Sequence, residues 1–188
     1  MLIRTAQKKD ALQIVPLFKI ILNEMELPAL QLIPEKKLDK IIQFAFETEA
    51  IRFSMGKTIV AEIDGQIAGF AFGYPDEMEK SINDIWERAV SAVELPEKIS
   101  LFTDDETFPN EWYLDSIAVS SAFRGKGVGT KLLTTLPKIA LNSNKPCVGL
   151  SVDLQNPLAE KLYSRIGYKK VRTTVISHHH YHHMQLRV

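Results

Sequence analysis

The sequence predicts a mixed α+β fold, and three observations support this prediction. Residues 57–75, KTIVAEIDGQIAGFAFGYP, contain two runs of strand-forming residues joined at Asp64-Gly65, which is a strong hairpin signal. Several other segments repeat apolar residues at the three- and four-residue spacing of amphipathic helices. In the C-terminal half, segments of the two kinds alternate as strand–turn–helix units.

Length and composition fit one globular domain over residues 1–188. The chain is 45% hydrophobic and 24% charged, as is usual for a domain that buries a core. Lys+Arg and Asp+Glu number 23 each, so no overall charge favours nucleic acid or an anionic membrane as partner. Cys147 is the single cysteine. With no apolar leader and no run of membrane-spanning length, we expect a cytoplasmic protein without an intrachain disulfide.

The N-terminal elements follow from apolar patterning and capping residues. Alternation in LIRTAQ, residues 2–7, predicts a short strand. Asp10 then precedes a helical pattern as its N-cap, and Pro16 inside that pattern predicts a kink or a later start. A second helix is predicted after Pro34, with its apolar face made by Leu38, Ile41, Ile42 and Ala45.

Residues 75–110 form a polar, acidic insertion between two predicted strands. They contain one amphipathic helix, whose apolar positions are Ile82, Ile85, Trp86, Ala89, Val90 and Val93. The insertion is longer than a simple connection between neighbouring strands requires.

The C-terminal half begins with the strand WYLDSIAV, residues 112–119. A glycine-rich turn and a helical pattern interrupted by Pro137 follow, with Leu132, Leu133, Leu136 and Ala140 on the apolar face. Next come the strand CVGLSVDL, residues 147–154, and a short helix with Gly167 as C-cap. The chain closes with a final pair of strands.

The turn RGKGVGT, residues 124–130, has the features of a phosphate cradle. Its alternate glycines let the backbone approach a ligand closely, and the free N–H groups of the following helix start favour an anion. The Walker spacing is absent, and the third glycine comes one residue too early for the Rossmann pattern. A helix-start turn without a ligand would show the same glycines.

The segment YLDSIAVSSAFRGKGVGTKLL resembles the acetyl-CoA signature of the Gcn-type N-acetyltransferases, the GNAT superfamily. The family loop has the form Arg/Gln-x-x-Gly-x-Gly/Ala, and Arg124, Gly127 and Gly129 fill its three defined positions. The resemblance continues through LSVDLQNPLAEKLYSRIGYKKV and covers residues 112–171 in all. The N-terminal half agrees with the family in element order but contains no specific motif.

The resemblance implies a central twisted sheet of about six to seven mostly antiparallel strands flanked by helices. Two parallel strands, here SIAV and GLSV, would splay apart to admit the pantetheine arm of coenzyme A. Acetyl-CoA is then the expected co-substrate, and no metal is expected. The implied coenzyme-binding residues are Ile117, Ala118, Val119, Arg124, Gly125, Lys126, Gly127, Val128, Gly129, Thr130, Asn156 and Tyr163.

The resemblance also implies catalytic roles. Tyr163 matches the tyrosine that protonates the leaving thiolate, and Asp115 is our candidate for the base that deprotonates the amine. Glu111 also lies near this strand. In some relatives a glutamate occupies the position of Ser151, and serine cannot serve as that base. The expected reaction is acetyl transfer to a primary amine by direct attack in a ternary complex; the alternative is a catalytically weak acyl-CoA-binding or regulatory module.

The acceptor is a small-molecule or peptide amine that the sequence does not identify. The carboxylates Asp104, Asp105, Glu106 and Glu111 favour a cationic amine such as a polyamine, amino sugar or lysine side chain, although a solvated acidic loop would look the same. The insertion would lie beside the acceptor cleft or at a homodimer interface.

All five histidines lie in SHHHYHHMQLRV, residues 177–188. Because the run is broken by Tyr181 and continues into an apolar alternation, we interpret residues 181–188 as a strand rather than a purification tag. On a strand, His178, His180 and His182 would share one face, and His179 and His183 the other. A metal-dependent protein that uses these histidines is a third hypothesis, although no zinc pattern is complete. The preferred role is a pH-sensitive wall of the acceptor cleft, because imidazoles titrate near neutral pH.

Overall fold

Seven strands form one sheet in the order β1-β2-β3-β4-β5-β7-β6, in a computed structural model that describes residues 1–95 and 98–188. Every neighbouring pair is antiparallel except β4 and β5, which are parallel. The predicted mixed, mostly antiparallel sheet is therefore confirmed. The strands are β1 Leu2–Thr5, β2 Lys57–Ile63, β3 Gln66–Pro75, β4 Trp112–Val119, β5 Cys147–Asp153, β6 Lys169–Ile176 and β7 His179–Arg187.

Six α-helices are described, and they cover both faces of the sheet because its strands alternate their side chains between two cores. The larger core contains the buried faces of α1, α2 and α3. The second core contains α4, α5 and part of α6. The bounds are α1 Ala11–Met25, α2 Glu35–Glu47, α3 Glu79–Ser91, α4 Val128–Leu133, α5 Leu136–Asn142 and α6 Pro157–Ile166. Across the described residues, none of these helices combines the length and apolarity that a membrane span needs.

Local signals placed several elements correctly. Asp64 and Gly65 both have positive φ, 51° and 76°, and they join β2 to β3 as the hairpin signal predicted. The predicted core faces of α2 and α3 are buried, apart from the half-buried Val93 beyond the end of α3. Pro137 divides the predicted helix in two, since α4 ends at Leu133 and Pro137 lies in the first turn of α5.

Two N-terminal expectations were wrong. Asp10 makes no side-chain cap to α1; its carboxylate accepts from Arg4, at 2.6 and 3.0 Å, and from the Gln7 N–H. The ion pair with Arg4 draws the carboxylate towards β1 and away from the helix end. The helix starts at Ala11 and continues through Pro16, so the later start was wrong, and the kink stays a prediction.

The last strand in the chain does not lie at the edge of the sheet. β7 pairs with β5 on one side and with β6 on the other, so the predicted final pair of strands is only half of its environment. His178 lies with Ser177 in the turn between β6 and β7, both at positive φ, and so does not share the face of His180 and His182. Because β7 is interior, its side chains can reach the centre of the molecule.

Candidate active site

The parallel strands β4 and β5 separate along their length. They pair only from Trp112 to Leu114 on β4 and from Val148 to Leu150 on β5. Beyond these residues β4 remains paired with β3 and β5 remains paired with β7. The edges that β4 and β5 turn towards each other therefore open into a cleft, as the resemblance implied.

A β-bulge lies where the cleft opens. On β3, Phe72 pairs with Ser116 and the next residue pairs with Leu114, so Asp115 is the extra residue on β4. Bulges bend a strand and redirect a side chain. Asp115 is thereby placed at the inner end of the cleft and lines it.

The cleft is a cavity of about 660 Å³. Its walls come from α1, β4, the start of α4, β5, α6 and the β6–β7 hairpin, together with residue 106 of the acidic insertion. Of the predicted site residues, those that line it are Asp115, Ile117, Ala118, Val119, Arg124, Gly129, Asn156 and Tyr163.

The remaining predicted loop residues are not part of the cavity wall. Gly125, Lys126, Gly127 and Thr130 are exposed, and Val128 is a core residue at 1% exposure. In the described part of the chain the N–H groups of residues 125–130 have no protein acceptor, and the first helical bond there runs from Lys131 N–H to the Gly127 carbonyl, 3.0 Å. A row of free N–H groups can bind an anion.

The glycines of this loop serve different purposes. Gly125 and Gly127 have φ of 74° and 76°, a region that side chains other than glycine rarely adopt. A Cβ at either would meet open space, so the backbone conformation alone requires glycine. Gly129 has an ordinary φ, and a Cβ at this position would lie in normal contact with Val119 and Leu162, at 3.7 and 4.0 Å.

Asn156 and Tyr163, from the segment LSVDLQNPLAEKLYSRIGYKKV, lie on the wall of the cavity that α6 forms. Asn156 is the N-cap of α6 and accepts from the Ala159 N–H at 3.2 Å, while it also lines the cavity. Tyr163 lies about two turns further along this helix. Burial raises the pKa of its phenol to about 12, with a smaller contribution from the charge of Glu24, so the hydroxyl keeps its proton at neutral pH.

The inner end of the cavity is acidic. Asp115 accepts hydrogen bonds from the Tyr74 hydroxyl, at 3.2 Å, and from the Ser116 hydroxyl. Burial raises the pKa of Asp115 to about 6, and the charge of Glu79 adds to the increase. Burial and the neighbouring charge of Asp115 together raise the pKa of Glu106 to about 8. Both carboxyl groups therefore exchange protons near neutral pH.

Glu106 is held in place by α3. Glu79, the first residue of that helix, accepts from the N–H groups of Glu106 and Thr107 and from the Thr107 hydroxyl. The Tyr113 hydroxyl donates to Glu106 at 2.7 Å. The acidic insertion thus places one carboxylate in the cavity, and residues 96 and 97 of that insertion lie outside the described residues.

Glu111 is not placed to act directly on a substrate. It is fully buried beneath β5 and is not a wall residue of the cavity. A Cβ on Gly149 would lie 1.9 Å from the Glu111 Oε2 atom, so glycine at this strand position provides the space for the carboxylate. Ser151, two residues further along β5, lines the cavity.

The histidine strand contributes to the wall of the cleft, as its preferred role required, and the pH sensitivity of that wall stays a prediction. His179 and Tyr181 line the cavity, and His183 lies behind it, fully buried. The shared face of His179, Tyr181 and His183 is as predicted. Within residues 1–95 and 98–188 no group of three or more His, Cys, Asp or Glu side chains is arranged to hold a metal ion; independence from metals stays a prediction.

Sequence reasoning missed wall residues that come from distant segments. Glu24 and Glu26 come from the end of α1, and Gln155 comes from the turn before α6. No local motif marks them. One signal was available for the buried part of the site, since a glycine within an apolar strand, as at Gly149, indicates close approach by another group.

Comparisons with known proteins agree with this geometry. The family described as Acetyltransferase (GNAT) matches residues 21–168. An uncharacterised N-acetyltransferase of Methanocaldococcus jannaschii is 30% identical over 111 residues, which are 58% of this chain and 51% of that protein. The chain spans about half the length of the curated relatives it matches.

Solved structures share the whole fold. A crystal structure described as an acetyltransferase is 42% identical, covers 100% of both chains and gives a TM-score of 0.87. YncA of Salmonella typhimurium, solved with its cofactor acetyl-CoA, is 19% identical, covers 100% of this chain and 93% of its own, and gives a TM-score of 0.64.

Proposed function

Because this chain belongs to the Acetyltransferase (GNAT) family, we propose that it transfers the acetyl group of acetyl-CoA to a primary amine in a ternary complex. The observation that supports this most directly is the opened pair β4–β5, whose pairing ends at Leu114 and Leu150. The opening leaves unpaired main chain on both sides of a cavity that is large enough for a ligand and ends at carboxylates.

The coenzyme is proposed to bind along β4 and the glycine loop. The free N–H groups of residues 125–130 would hold the pyrophosphate, with Arg124 adding positive charge. The unpaired edge of β4 at Ile117, Ala118 and Val119 would hydrogen-bond the pantetheine arm. That a structural neighbour was solved with acetyl-CoA supports this choice of co-substrate.

The acceptor is proposed to be a cationic amine that enters at the acidic end. Among the residues that the structure describes, five carboxyl groups line the cavity, those of Glu24, Glu26, Glu106, Asp115 and Asp153, together with one guanidinium, that of Arg124. An excess of negative charge in a confined cleft attracts cations and repels carboxylates. Polyamines, amino sugars and lysine side chains share this charge, and free amino acids carry an opposing carboxylate.

The chain's own groups then have separate tasks. Acetyl-CoA, when bound, supplies an acetyl thioester as the electrophile. Asp115 takes a proton from the incoming ammonium, which leaves a neutral amine able to attack. A backbone N–H of β4 stabilises the oxygen that becomes negative. Tyr163 donates its phenolic proton to the departing sulfur and is reprotonated from solvent.

An acceptor panel tests the proposal. Putrescine, spermidine, glucosamine and a lysine peptide are compared with alanine and glutamate, while release of free coenzyme A thiol is followed. We expect turnover of the cationic amines and little turnover of the amino acids. Tyr163→Phe should lower kcat by about 10²-fold.

Tyr168→Phe is the matched control, because Tyr168 packs beside Tyr163, at 5.9 Å between ring centroids, without lining the cavity. Coenzyme binding without turnover of any amine would favour the acyl-CoA-binding module. Failure to bind coenzyme A would exclude both functions.

A further inference from the structure

Three polar side chains from three segments of the protein form a hydrogen-bonded row that begins at Ser151 on the cavity wall. The Ser151 Oγ atom on β5 is 3.1 Å from Nδ1 of His183 on β7. The Nε2 atom of His183 is 2.9 Å from Oε2 of Glu111, which precedes β4. Ser151 and His183 are also direct partners in the β5–β7 register. The row of side chains therefore extends from the cavity wall to a fully buried carboxylate.

The hydrogen-bond partners of Glu111 and His183 fix the direction in which these three side chains can pass a proton. Glu111 accepts from the Phe108 N–H at 2.8 Å and from the Gln185 side-chain amide at 2.8 Å, as well as from His183. An ionised carboxylate only accepts hydrogen bonds, so Nε2 of His183 is the nitrogen that carries the proton. Nδ1 is then left to accept the hydroxyl proton of Ser151.

His183 and Glu111 are in direct contact inside the protein. Both are 0% exposed, and a buried carboxylate needs hydrogen-bond donors, one of which is Nε2 of His183. The imidazole lies between the rings of Phe108 and Tyr113, at centroid distances of 4.3 and 6.1 Å.

Further charged or titratable groups contact the two rings beside His183. The Arg172 guanidinium, on β6, lies 4.8 Å from the centroid of Phe108, and Glu106 accepts from the Tyr113 hydroxyl at 2.7 Å. Glu111 is thus the charge in direct contact with His183.

We propose that Ser151 is a catalytic residue that removes the second proton from the acceptor nitrogen, and that His183 and Glu111 are positioning residues that make this transfer favourable. The inference rests on the proposed acetyltransferase function. A lone serine cannot act as a base, which was the objection to catalysis at this position. A serine whose proton can pass to an imidazole backed by a carboxylate can do so.

The proton balance gives the relay a distinct task. An ammonium acceptor loses one proton before attack, to Asp115, and a second after the N–C bond has formed, when the nitrogen is again positive. Ser151 Oγ takes that second proton while its own proton passes to Nδ1 of His183. The C–S bond breaks, and the thiolate takes the proton of Tyr163. Two protons leave nitrogen, one reaches sulfur, and solvent restores the side chains with a net release of one proton.

The test compares Ser151→Ala with Ser151→Thr, which keeps the hydroxyl, on the best cationic amine of the panel. We expect Ser151→Ala to lower kcat by about 10²-fold, with the KM for acetyl-CoA and the Kd for coenzyme A within about twofold of wild type. Ser151→Thr should recover most of the rate. His180→Asn, a change at an exposed histidine of the same strand, should leave both parameters unchanged.

Glu111→Gln separates a proton relay from a structural role. This variant should lower kcat while the Kd for coenzyme A stays within about twofold of wild type, because an uncharged amide supports proton transfer to the imidazole less well than the carboxylate does. A structural defect would weaken coenzyme A binding as much as it lowers kcat, and that result would overturn the proposal. In the ligand-free wild-type chain, ¹⁵N spectra of the imidazole should show a proton on Nε2 of His183; a proton on Nδ1 alone would contradict the relay.

The remaining outcomes are also decisive. A wild-type chain that binds coenzyme A but acetylates no amine contradicts the proposed function and the relay with it. An active wild type with an equally active Ser151→Ala variant contradicts the relay alone. Mass spectrometry after mixing with acetyl-CoA should find no acetyl group on Ser151; an acetylated Ser151 would mean that the hydroxyl is a nucleophile and not a relay.

Discussion

The two ends of the cleft are built in opposite ways. The end proposed for the coenzyme consists of main chain from one continuous stretch, the strand β4 and the loop at residues 124–130. The end proposed for the acceptor consists of side chains from separate segments, which include Glu106, Asp115, Ser151 and His183. Backbone recognition depends on conformation, whereas side-chain chemistry depends on which distant residues the fold brings together. The two ends should therefore respond differently to substitution.

The largest expected effect is at the acceptor end. Asp115→Asn keeps an oxygen that can accept from Tyr74 and Ser116 but cannot take a proton, so kcat should fall by about 10²- to 10³-fold. Steady-state kinetics with saturating acetyl-CoA measure this. Asp84→Asn, at an exposed position of α3, is the control. If Asp115→Asn retains more than a tenth of the wild-type kcat, Asp115 is not the base.

The coenzyme end should respond through affinity and not through kcat. Gly127→Ala places a side chain at φ 76°, a strain of about 1–2 kcal/mol, and should weaken coenzyme A binding about five- to thirtyfold. Calorimetric titration measures the Kd. Gly65→Ala imposes the same φ of 76° in the β2–β3 turn and should lower stability without changing the Kd. Equal losses of affinity in the two variants would show that the loop conformation has no specific role.

A smaller effect is expected where charge selects the acceptor. Glu106→Gln removes from the cavity wall a carboxyl group that is ionised above its pKa of about 8. At about pH 9 it should raise the KM for spermidine by about three- to tenfold, as expected for the loss of one charge pair. The KM for acetyl-CoA should not change, because the coenzyme is proposed to bind at the other end. A rise in both KM values would indicate a general disturbance of the cleft.

The acidic end should also appear in the pH dependence of stability. The pKa values of Asp115 and Glu106 are raised from 3.8 to about 6 and from 4.5 to about 8. The native state then binds more protons than the unfolded chain, so the free energy of unfolding should decrease as pH rises through both values. Urea unfolding between about pH 5 and pH 9 measures this. Glu106→Gln should lose the part of the decrease near pH 8; an unchanged slope there would contradict the assignment.

The smallest effect should come from a tyrosine outside the cleft. Among the described residues the buried Tyr168 hydroxyl has no hydrogen-bond partner. Removing an unpaired buried polar group should be neutral or slightly stabilising, by about 1 kcal/mol at most. Thermal unfolding of Tyr168→Phe tests this, and a large destabilisation would show that the hydroxyl is satisfied in solution.

Much of the fold followed from local patterns. The Asp64-Gly65 turn, the division of a helix at Pro137 and the limits of β4 depend on nearest neighbours in the chain, and the structure has them where they were predicted. Asp10 shows how such reasoning fails. Its side chain fits a helix cap, but the competing ion pair with Arg4 is formed in the folded chain.

By itself, the sequence determined the element types, the loop of residues 124–130 and the resemblance that indicated acetyl-CoA, because each depends on consecutive residues. Tertiary structure alone decided that β7 lies between β5 and β6, which brings His183 behind Ser151. It also placed Glu111 under Gly149 and Glu106 beside Asp115. The physical reason is that a proton relay needs side chains within hydrogen-bond distance, and strand order, which no local pattern specifies, sets those distances.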